Sequence, residues 1–184
     1  MIISKRELNK NISYKIQKGA VFIYPTDTIY GMGCNALNAK SVIKIRQLKE
    51  RYEKPFSIIA PSKRWIYTNC VINANAKKWL KKLPGPYTLI LKVKNKKIIA
   101  REVTDGLDTV GIRIPKHWIS SFVKKLGIPI VTTSVNKTTK PFMTTIENLD
   151  KDIKYNVNLI IYEGPKKGKP STIVNLVETK VIKR

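Results

Sequence analysis

Four short polar stretches combine residue types and spacings that suit the handling of a small anionic ligand, and three of them sit where an apolar segment ends. The first, Pro25-Thr26-Asp27-Thr28-Ile29-Tyr30-Gly31, follows the apolar run Ala20–Tyr24. Its small hydroxyls and backbone N–H groups could meet a small polar ligand, although an ordinary Asx or Ser/Thr turn uses the same residues. The second is Lys49-Glu50-Arg51. Residues two apart diverge on a continuous helix, so the two cations meet only if the helix stops there, as Pro55 suggests. Lysine would then act as a point charge and arginine as a fork for phosphate, both reachable from solvent. The plainer alternative is a pair of solvated cations favoured by the helix dipole. The third is Ser134-Val135-Asn136 at the end of the apolar run from Ile128. Strand alternation puts the Ser134 hydroxyl and the Asn136 amide on one face, unless Asn136 merely bonds its own backbone in a turn. The fourth, Gly164-Pro-Lys-Lys-Gly-Lys-Pro-Ser171-Thr172, mixes glycine, lysine and hydroxyls. It is not a P-loop: Pro170 stands where that motif needs Ser or Thr, and an apolar strand follows instead of a helix.

The charge balance points the same way without choosing a partner. With 36 basic and 12 acidic residues the net charge is +24, which favours anionic partners. Lysine accounts for 29 of the cations and arginine, the bidentate reader of phosphates, for only 7. Two cysteines, Cys34 and Cys70, and one histidine, His117, fit no zinc spacing, so no metal site built from protein side chains is expected. His117 reads as an exposed or capping residue, and Asp27 is the one carboxylate inside the four stretches apart from Glu50. A set rich in cations and hydroxyls but poor in bases suits positioning and charge neutralisation, as in phosphoryl or nucleotidyl transfer.

These residues need a scaffold that alternates strands and helices. Leu8, Ile12 and Ile16 recur every four residues after a Ser4/Glu7 capping box, with Gly19 as the stop. Further helices are expected after Asn38, Ser62 and Asn73, over His117–Leu126 with Trp118, Phe122 and Val123 inward, and around Thr145–Leu149. Strands are expected at Ala20–Tyr24, Phe56–Ala60, Tyr87–Val93, Val110–Pro115, Ile128–Val135, Leu159–Tyr162 and Thr172–Val177. Helices between strands imply one α/β domain over residues 1–184 with a parallel or mixed sheet. No apolar run reaches the ~18 residues of a membrane span. The start, Met-Ile-Ile-Ser-Lys-Arg-Glu, lacks the apolar core of a signal peptide, so a cytoplasmic location is expected.

Taken in order, the segments resemble the YrdC-like domain of the threonylcarbamoyl-adenylate synthase family, in its short single-domain form. The matching segments are Tyr24-Pro-Thr-Asp-Thr-Ile-Tyr-Gly31, Lys49-x-Arg51, Pro84-Gly-Pro-Tyr-Thr-Leu-Ile-Leu91, Val110-Gly-Ile-Arg-Ile-Pro115, Ser134-x-Asn136 and Ser171-Thr-Ile-Val174. The resemblance implies a twisted mixed sheet with a concave basic pocket. It also implies an enzyme, a nucleotidyltransferase that combines L-threonine, bicarbonate and ATP into threonylcarbamoyl-AMP and pyrophosphate for tRNA modification. Lys49, Arg51, Ser134 and Asn136 carry over as the catalytic and nucleotide-binding set. Thr26, Thr28 and Tyr30 carry over as the threonine site, and Arg113, Ser171 and Thr172 as further nucleotide contacts. Mg²⁺ would arrive with ATP; tRNA or another RNA and a downstream threonylcarbamoyl transferase are the further partners implied. The sequence departs from the family where Val135 replaces alanine, Leu83 replaces tryptophan and Thr139 stands in place of glycine. A β-branched residue disfavours positive φ, so the loop after Asn136 is expected to differ. Two other readings stay open at this point: an RNA-binding module using the basic face, and a paralogue that hydrolyses ATP without threonine.

Overall fold

The computed structural model describes residues 1–178 and 180–182. Along the chain its elements are β1 (Ile2–Ile3), α1 (Lys10–Gln17), β2 (Phe22–Tyr24), β3 (Gly31–Gly33), α2 (Ala39–Lys49), β4 (Ser57–Ile59), α3 (Lys63–Asn69), α4 (Ala74–Lys81), β5 (Tyr87–Lys92), α5 (Arg101–Thr104), β6 (Thr109–Arg113), α6 (Trp118–Leu126), β7 (Ile130–Ser134), α7 (Lys151–Asn156), β8 (Leu159–Ile161), β9 (Thr172–Asn175) and β10 (Lys180–Ile182). The helix starts follow the local chemistry. Asn9, Asn38, Ser62, Asn73 and Asp150 each accept a backbone N–H three residues on, satisfying one orphan donor of the first turn.

Two local expectations are corrected and a third is completed. The Ser4/Glu7 box caps a 3₁₀ turn over Lys5–Glu7, and the helix carrying Ile12 and Ile16 begins afresh at Asn9. The helix expected around Thr145–Leu149 is a turn in which Asn148 Oδ1 accepts both the Thr144 and Thr145 amides, and the helix starts after Asp150. A side-chain acceptor there outcompetes the helical ladder. On α6, Trp118, Phe122 and Val123 do pack on the core as expected, the first two only partly buried, but the fully buried stripe also includes Ile119 and Leu126, which the expectation omitted.

Among the described residues one sheet runs β1-β8-β2-β3-β7-β4-β6-β5-β9-β10, with parallel and antiparallel neighbours mixed. One face is apolar across nearly its whole width: Ile160, Ile23, Met32, Val131, Ile58, Ile112, Leu89 and Val174 form a single core with residues of α2, α3, α4, α5 and α7. The other face changes character along its strands. Ile161, Phe22, Tyr24, Ile130 and Ile59 pack under α1 and α6. Two residues along β4 and β7 from those isoleucines stand Ser57 and Thr132, and the same face of β5, β6 and β9 carries Thr88, Thr109, Gly111, Arg113 and Asn175. Period-two alternation makes these residues share the side that helices cover elsewhere. The sequence therefore builds a sheet with half of one face left bare and polar.

The loop after Asn136 corrects a further expectation. Thr139 does take the left-handed backbone, at φ +69°. For a β-branched residue this region is strained, by roughly 1–3 kcal/mol. Thr139→Gly should therefore stabilise the protein by about 1 kcal/mol and raise Tm by roughly 2–4 °C in thermal unfolding. An unchanged or lower Tm would show that contacts of the threonine side chain offset the strain.

Candidate functional site

The bare half-face floors a cavity of about 430 Å³. Its wall brings together parts of all four polar stretches: Thr26 and Tyr30 from the β2–β3 loop, Arg51 after α2, Ser134 at the end of β7, and Pro170 and Ser171 before β9. Gly111 lies in the middle of the floor, where a Cβ would press on Ser57 Oγ at 2.5 Å and Thr88 Cγ2 at 3.0 Å. Its lack of a side chain keeps the trough open. Phe56, Phe142 and Ile90 supply apolar wall, and Glu178 is the one carboxylate among the described lining residues.

The β2–β3 loop is a buried hydrogen-bonded hairpin tip. Thr26 Oγ1 donates to the Ile29 carbonyl at 2.7 Å and accepts the Thr28 amide at 3.1 Å, and the two threonine hydroxyls stand 3.0 Å apart. Thr26 faces the cavity, and Thr28 sits behind it. Arg113 reaches across from β6 to Asp27 Oδ1 at 2.9 Å and Thr28 Oγ1 at 3.1 Å. Asp27 Oδ2 also accepts the Lys116 amide at 2.8 Å. Both charged side chains of this ion pair are about nine-tenths buried, so Asp27 is the counterion that lets Arg113 line the cavity at all. The Tyr30 hydroxyl donates to the Gly164 carbonyl at 2.6 Å and accepts the Glu163 amide at 3.1 Å, so it braces a neighbouring segment while its body lines the cavity. Burial pushes its pKa up to about 12.

The Lys-x-Arg pair divides its labour. α2 ends at Lys49, and Glu50 takes a left-handed cap with φ +50°, which turns Arg51 away from the helix line. Arg51 lines the cavity, donates to the Pro55 carbonyl at 2.8 Å and lies over the Phe56 ring. Lys49 corrects the expectation of a solvent-reachable cation: it is 1% exposed. Its ammonium donates to the Ser134 carbonyl at 2.5 Å, the Asn136 carbonyl at 2.7 Å and Asn136 Oδ1 at 3.1 Å. Three acceptors match the three N–H donors of an ammonium, while burial, followed by the nearby Arg51 charge, pulls the pKa down to about 7. Asn136 Oδ1 also accepts the Ser134 hydroxyl at 2.6 Å, and its Nδ2 donates to the Lys140 carbonyl at 2.6 Å. Ser134 thus lines the cavity, with Lys49 and Asn136 as the bracket behind it.

The remaining residues fall out by alternation. Ser171, Ile173 and Asn175 line the cavity, whereas Thr172 shares the opposite face with core residue Val174. Ser171 Oγ stands 2.7 Å from Thr88 Oγ1. His117 is the expected cap: it is the N-cap of α6, with Nδ1 3.5 Å from the Ile119 amide. Sequence reasoning missed Arg46. Its guanidinium is buried and donates to the carbonyls of Glu102, Arg51, Tyr52 and Lys54, holding the turn that presents Arg51. A signal for the burial of Lys49 was present: it stands four residues after Ile45 and seven after Val42, on the apolar stripe of α2.

A half-bare α/β sheet with two arginines and many hydroxyls around one cavity is an arrangement suited to a small anionic ligand. The Sua5/YciO/YrdC family model, described as telomere recombination, matches residues 14–184, and the chain belongs to that family. It is 38% identical over 184 residues to the putative threonylcarbamoyl-AMP synthase of Methanocaldococcus jannaschii, covering 97% of this chain and 84% of that protein. It is 33% identical over 168 residues to the threonylcarbamoyl-AMP synthase of Pyrococcus abyssi, covering 89% of this chain and 49% of that protein. The solved structure of P. abyssi Sua5 complexed with L-threonine superposes with a TM-score of 0.85 at 30% identity, covering 98% of this chain and 56% of that one. The chain thus spans about half the length of the P. abyssi protein. The mixed α/β sheet expected from the resemblance is borne out.

The Lys49 bracket has a pH signature. An unfolded lysine keeps its proton up to 10.5, and folded Lys49 releases it at about 7, so between those values the unfolded state binds more protons. Stability then rises with pH across that window and gains nothing from this group below it. In denaturant titrations at about pH 7 and about pH 9, wild type should gain stability relative to Lys49→Met on going to the higher pH. A constant difference would place the Lys49 pKa outside the window.

Proposed function

We propose that this chain makes threonylcarbamoyl-AMP from L-threonine, bicarbonate and ATP and releases pyrophosphate. The observation that carries the reading is the cavity itself: Arg113 with Thr26 and Arg51 with Ser134 line it, with Glu178 as the one carboxylate among its described lining residues. The names of the relatives support it over an RNA-binding module and over an ATPase that ignores threonine.

The chemistry asks for positioning more than for proton transfer. The threonine amine adds to bicarbonate with loss of water to give a carbamate. A carbamate oxygen then attacks the α-phosphorus of ATP, and pyrophosphate leaves with the electrons of the broken P–O bond. Arg113, held by Asp27, takes the threonine carboxylate beside Thr26, while Thr28 fixes that arginine from behind. Arg51 takes phosphate oxygens, and Ser134, its hydroxyl held by Asn136 and its carbonyl by Lys49, shapes the same end of the cavity. Thr88 on β5 and Ser171 just before β9 line the cavity beyond Arg113. Apart from Tyr30, the groups named here neutralise or orient anions; Tyr30 shapes the wall. Among the described residues no group of three His, Cys, Asp or Glu side chains could hold a metal, so the donor set fits Mg²⁺ only as an ion carried on the nucleotide phosphates. The product is a mixed anhydride, fit to pass its threonylcarbamoyl group to a tRNA adenosine through a separate transferase.

Incubating the protein with the three substrates and detecting the threonylcarbamoyl nucleotide tests the reading directly. Arg51→Ala should lower kcat/KM by about 100-fold or more while leaving the thermal transition within a few degrees, as expected for a lost contact to developing charge. Wild-type turnover in that variant would remove Arg51 from the site. Serine differs from threonine by one methyl group, so discrimination against it should fall within roughly 10–200-fold in competition assays. A ratio far above that range would require a polar contact selecting threonine.

A further inference from the structure

The segment between β8 and β9 crosses the molecule. These strands stand second and ninth in the sheet, seven strand spacings apart. At ~4.8 Å per spacing that is ~34 Å, and the eleven residue steps from Ile161 to Thr172 reach at most ~36–40 Å. Sheet twist makes that span an upper bound, which the chain can bridge, so residues 162–171 form a strap with no regular secondary structure, and its attachments decide where it lies.

Those attachments bear on the substrate loop. Tyr162 stacks on Tyr30 with ring centroids 5.6 Å apart, and the Tyr30 hydroxyl bridges the backbone of Glu163 and Gly164. The Lys166 amide donates to the Thr144 carbonyl at 2.8 Å. Gly168 lies so close to the Thr28 carbonyl oxygen that a Cβ there would overlap it. Pro170 and Ser171 then enter the cavity wall. At the start of the strap, the Glu163 carboxylate gathers three donors. Oε1 accepts from Lys166 Nζ at 2.7 Å and His117 Nε2 at 2.9 Å, and Oε2 accepts from Trp118 Nε1 at 2.9 Å. His117 Nδ1 accepts the helix-cap N–H, so Nε2 is the nitrogen that carries the hydrogen.

We propose that Glu163 is a positioning residue for the amino-acid end of the cavity: by tying the strap to the start of α6, it seats Gly168 on Thr28 and thereby sets the affinity for threonine. The proposal rests on the synthase reading. A side chain with one acceptor oxygen cannot serve three donors on two oxygens, and one without a carboxylate serves none. Strap and substrate loop are neighbours through backbone contacts alone at Gly168, so a small outward movement frees Thr28 and the Arg113 bound to it.

The test uses Glu163→Ala, Glu163→Gln and Glu163→Asp together with Gly168→Ala, which pushes the strap off Thr28 from the other side. Loss of charge-assisted hydrogen bonds should raise KM for threonine by about tenfold in Glu163→Ala with kcat within about twofold. Glu163→Gln should fall between Glu163→Ala and wild type, and Glu163→Asp should recover most of the affinity. Glu163→Ala and Gly168→Ala should combine with less than additive effect, because both act through the strap. A second readout does not depend on turnover: trypsin should cut after Lys166 and Lys167 about tenfold faster in Glu163→Ala than in wild type. If wild type makes no threonylcarbamoyl nucleotide, the synthase reading fails, and the cleavage rates alone decide whether Glu163 holds the strap. Faster cleavage with an unchanged threonine KM in an active enzyme would overturn the link to affinity. Unchanged cleavage would overturn the anchoring role. Loss of kcat without a KM change would reduce Glu163 to a determinant of folded fraction.

Discussion

A sheet buried on one face across its width, but on the other for only half, is the constraint from which the site follows. Had Ser57, Thr132, Thr88 and Thr109 been Val or Ile, the second face would demand a further helix layer, as it does over β2 and β8. Small hydroxylated residues satisfy the pleat without a helix over them, because β-branched threonine suits a strand and its hydroxyl can be used at a cavity wall. The change from apolar to polar occurs within single strands. On β7 the same face reads Ile130, Thr132, Ser134, and on β4 it reads Ile59, Ser57. The boundary of the core and the edge of the cavity are therefore one line, drawn by a two-residue step in the sequence.

Cations set behind that line fix the segments that cross it. Arg46, Lys49 and Arg113 are each less than a tenth exposed. A buried cation is tolerated only where oxygens surround it. Arg46 meets four carbonyls, Lys49 three oxygens of the Ser134–Asn136 turn, and Arg113 a carboxylate and a hydroxyl. Apart from the Glu102 carbonyl in α5 and the Ser134 carbonyl at the end of β7, these partners belong to loops next to the cavity. Loops would otherwise be the least defined parts of the wall, and a buried charge gives them a single arrangement because any other leaves the charge uncompensated.

The sequence revealed the strand-and-helix order and all four polar stretches because those depend on local signals: apolar runs, alternation and capping residues. It did not reveal the short elements β1, α5 and β10, nor β3, because Gly-Met-Gly carries no strand propensity; there the backbone of Val131 approaches so closely that only glycine fits at position 33. It misplaced the helix before β8 because Asn148 Oδ1 takes the Thr144 and Thr145 amides into a turn, and the helix starts only after Asp150, with Ile153 in the core. At the site, residue identities were legible but depth was not. Ser134 and Ser171 reach the cavity as alternation suggests, while Thr172 follows Val174 to the other face. The burial of Lys49 and the role of Glu163 depend on partners 85 to 87 and 46 residues away, which no local pattern encodes.

The spacing of the Lys-x-Arg pair acquires a reason from the helix end between its members. On an unbroken helix, residues two apart lie about 200° from each other, so the two cations could not serve one region. Ending the helix at Lys49 and giving Glu50 a left-handed backbone leaves the lysine on the apolar stripe with Val42 and Ile45, facing the core side of the Ser134 turn. The chain then reverses, and Arg51 emerges on the cavity side, kept there by Pro55 and Phe56. One cation fixes the Ser134–Asn136 turn from behind, and the other bonds the Pro55 carbonyl and lines the cavity. An arginine at 49 would carry the same charge, but its planar fork does not match three oxygens gathered around a single nitrogen. A lysine at 51 would lose both the stacking on Phe56 and the fork that suits phosphate. The order of the two residues is therefore as consequential as their charge.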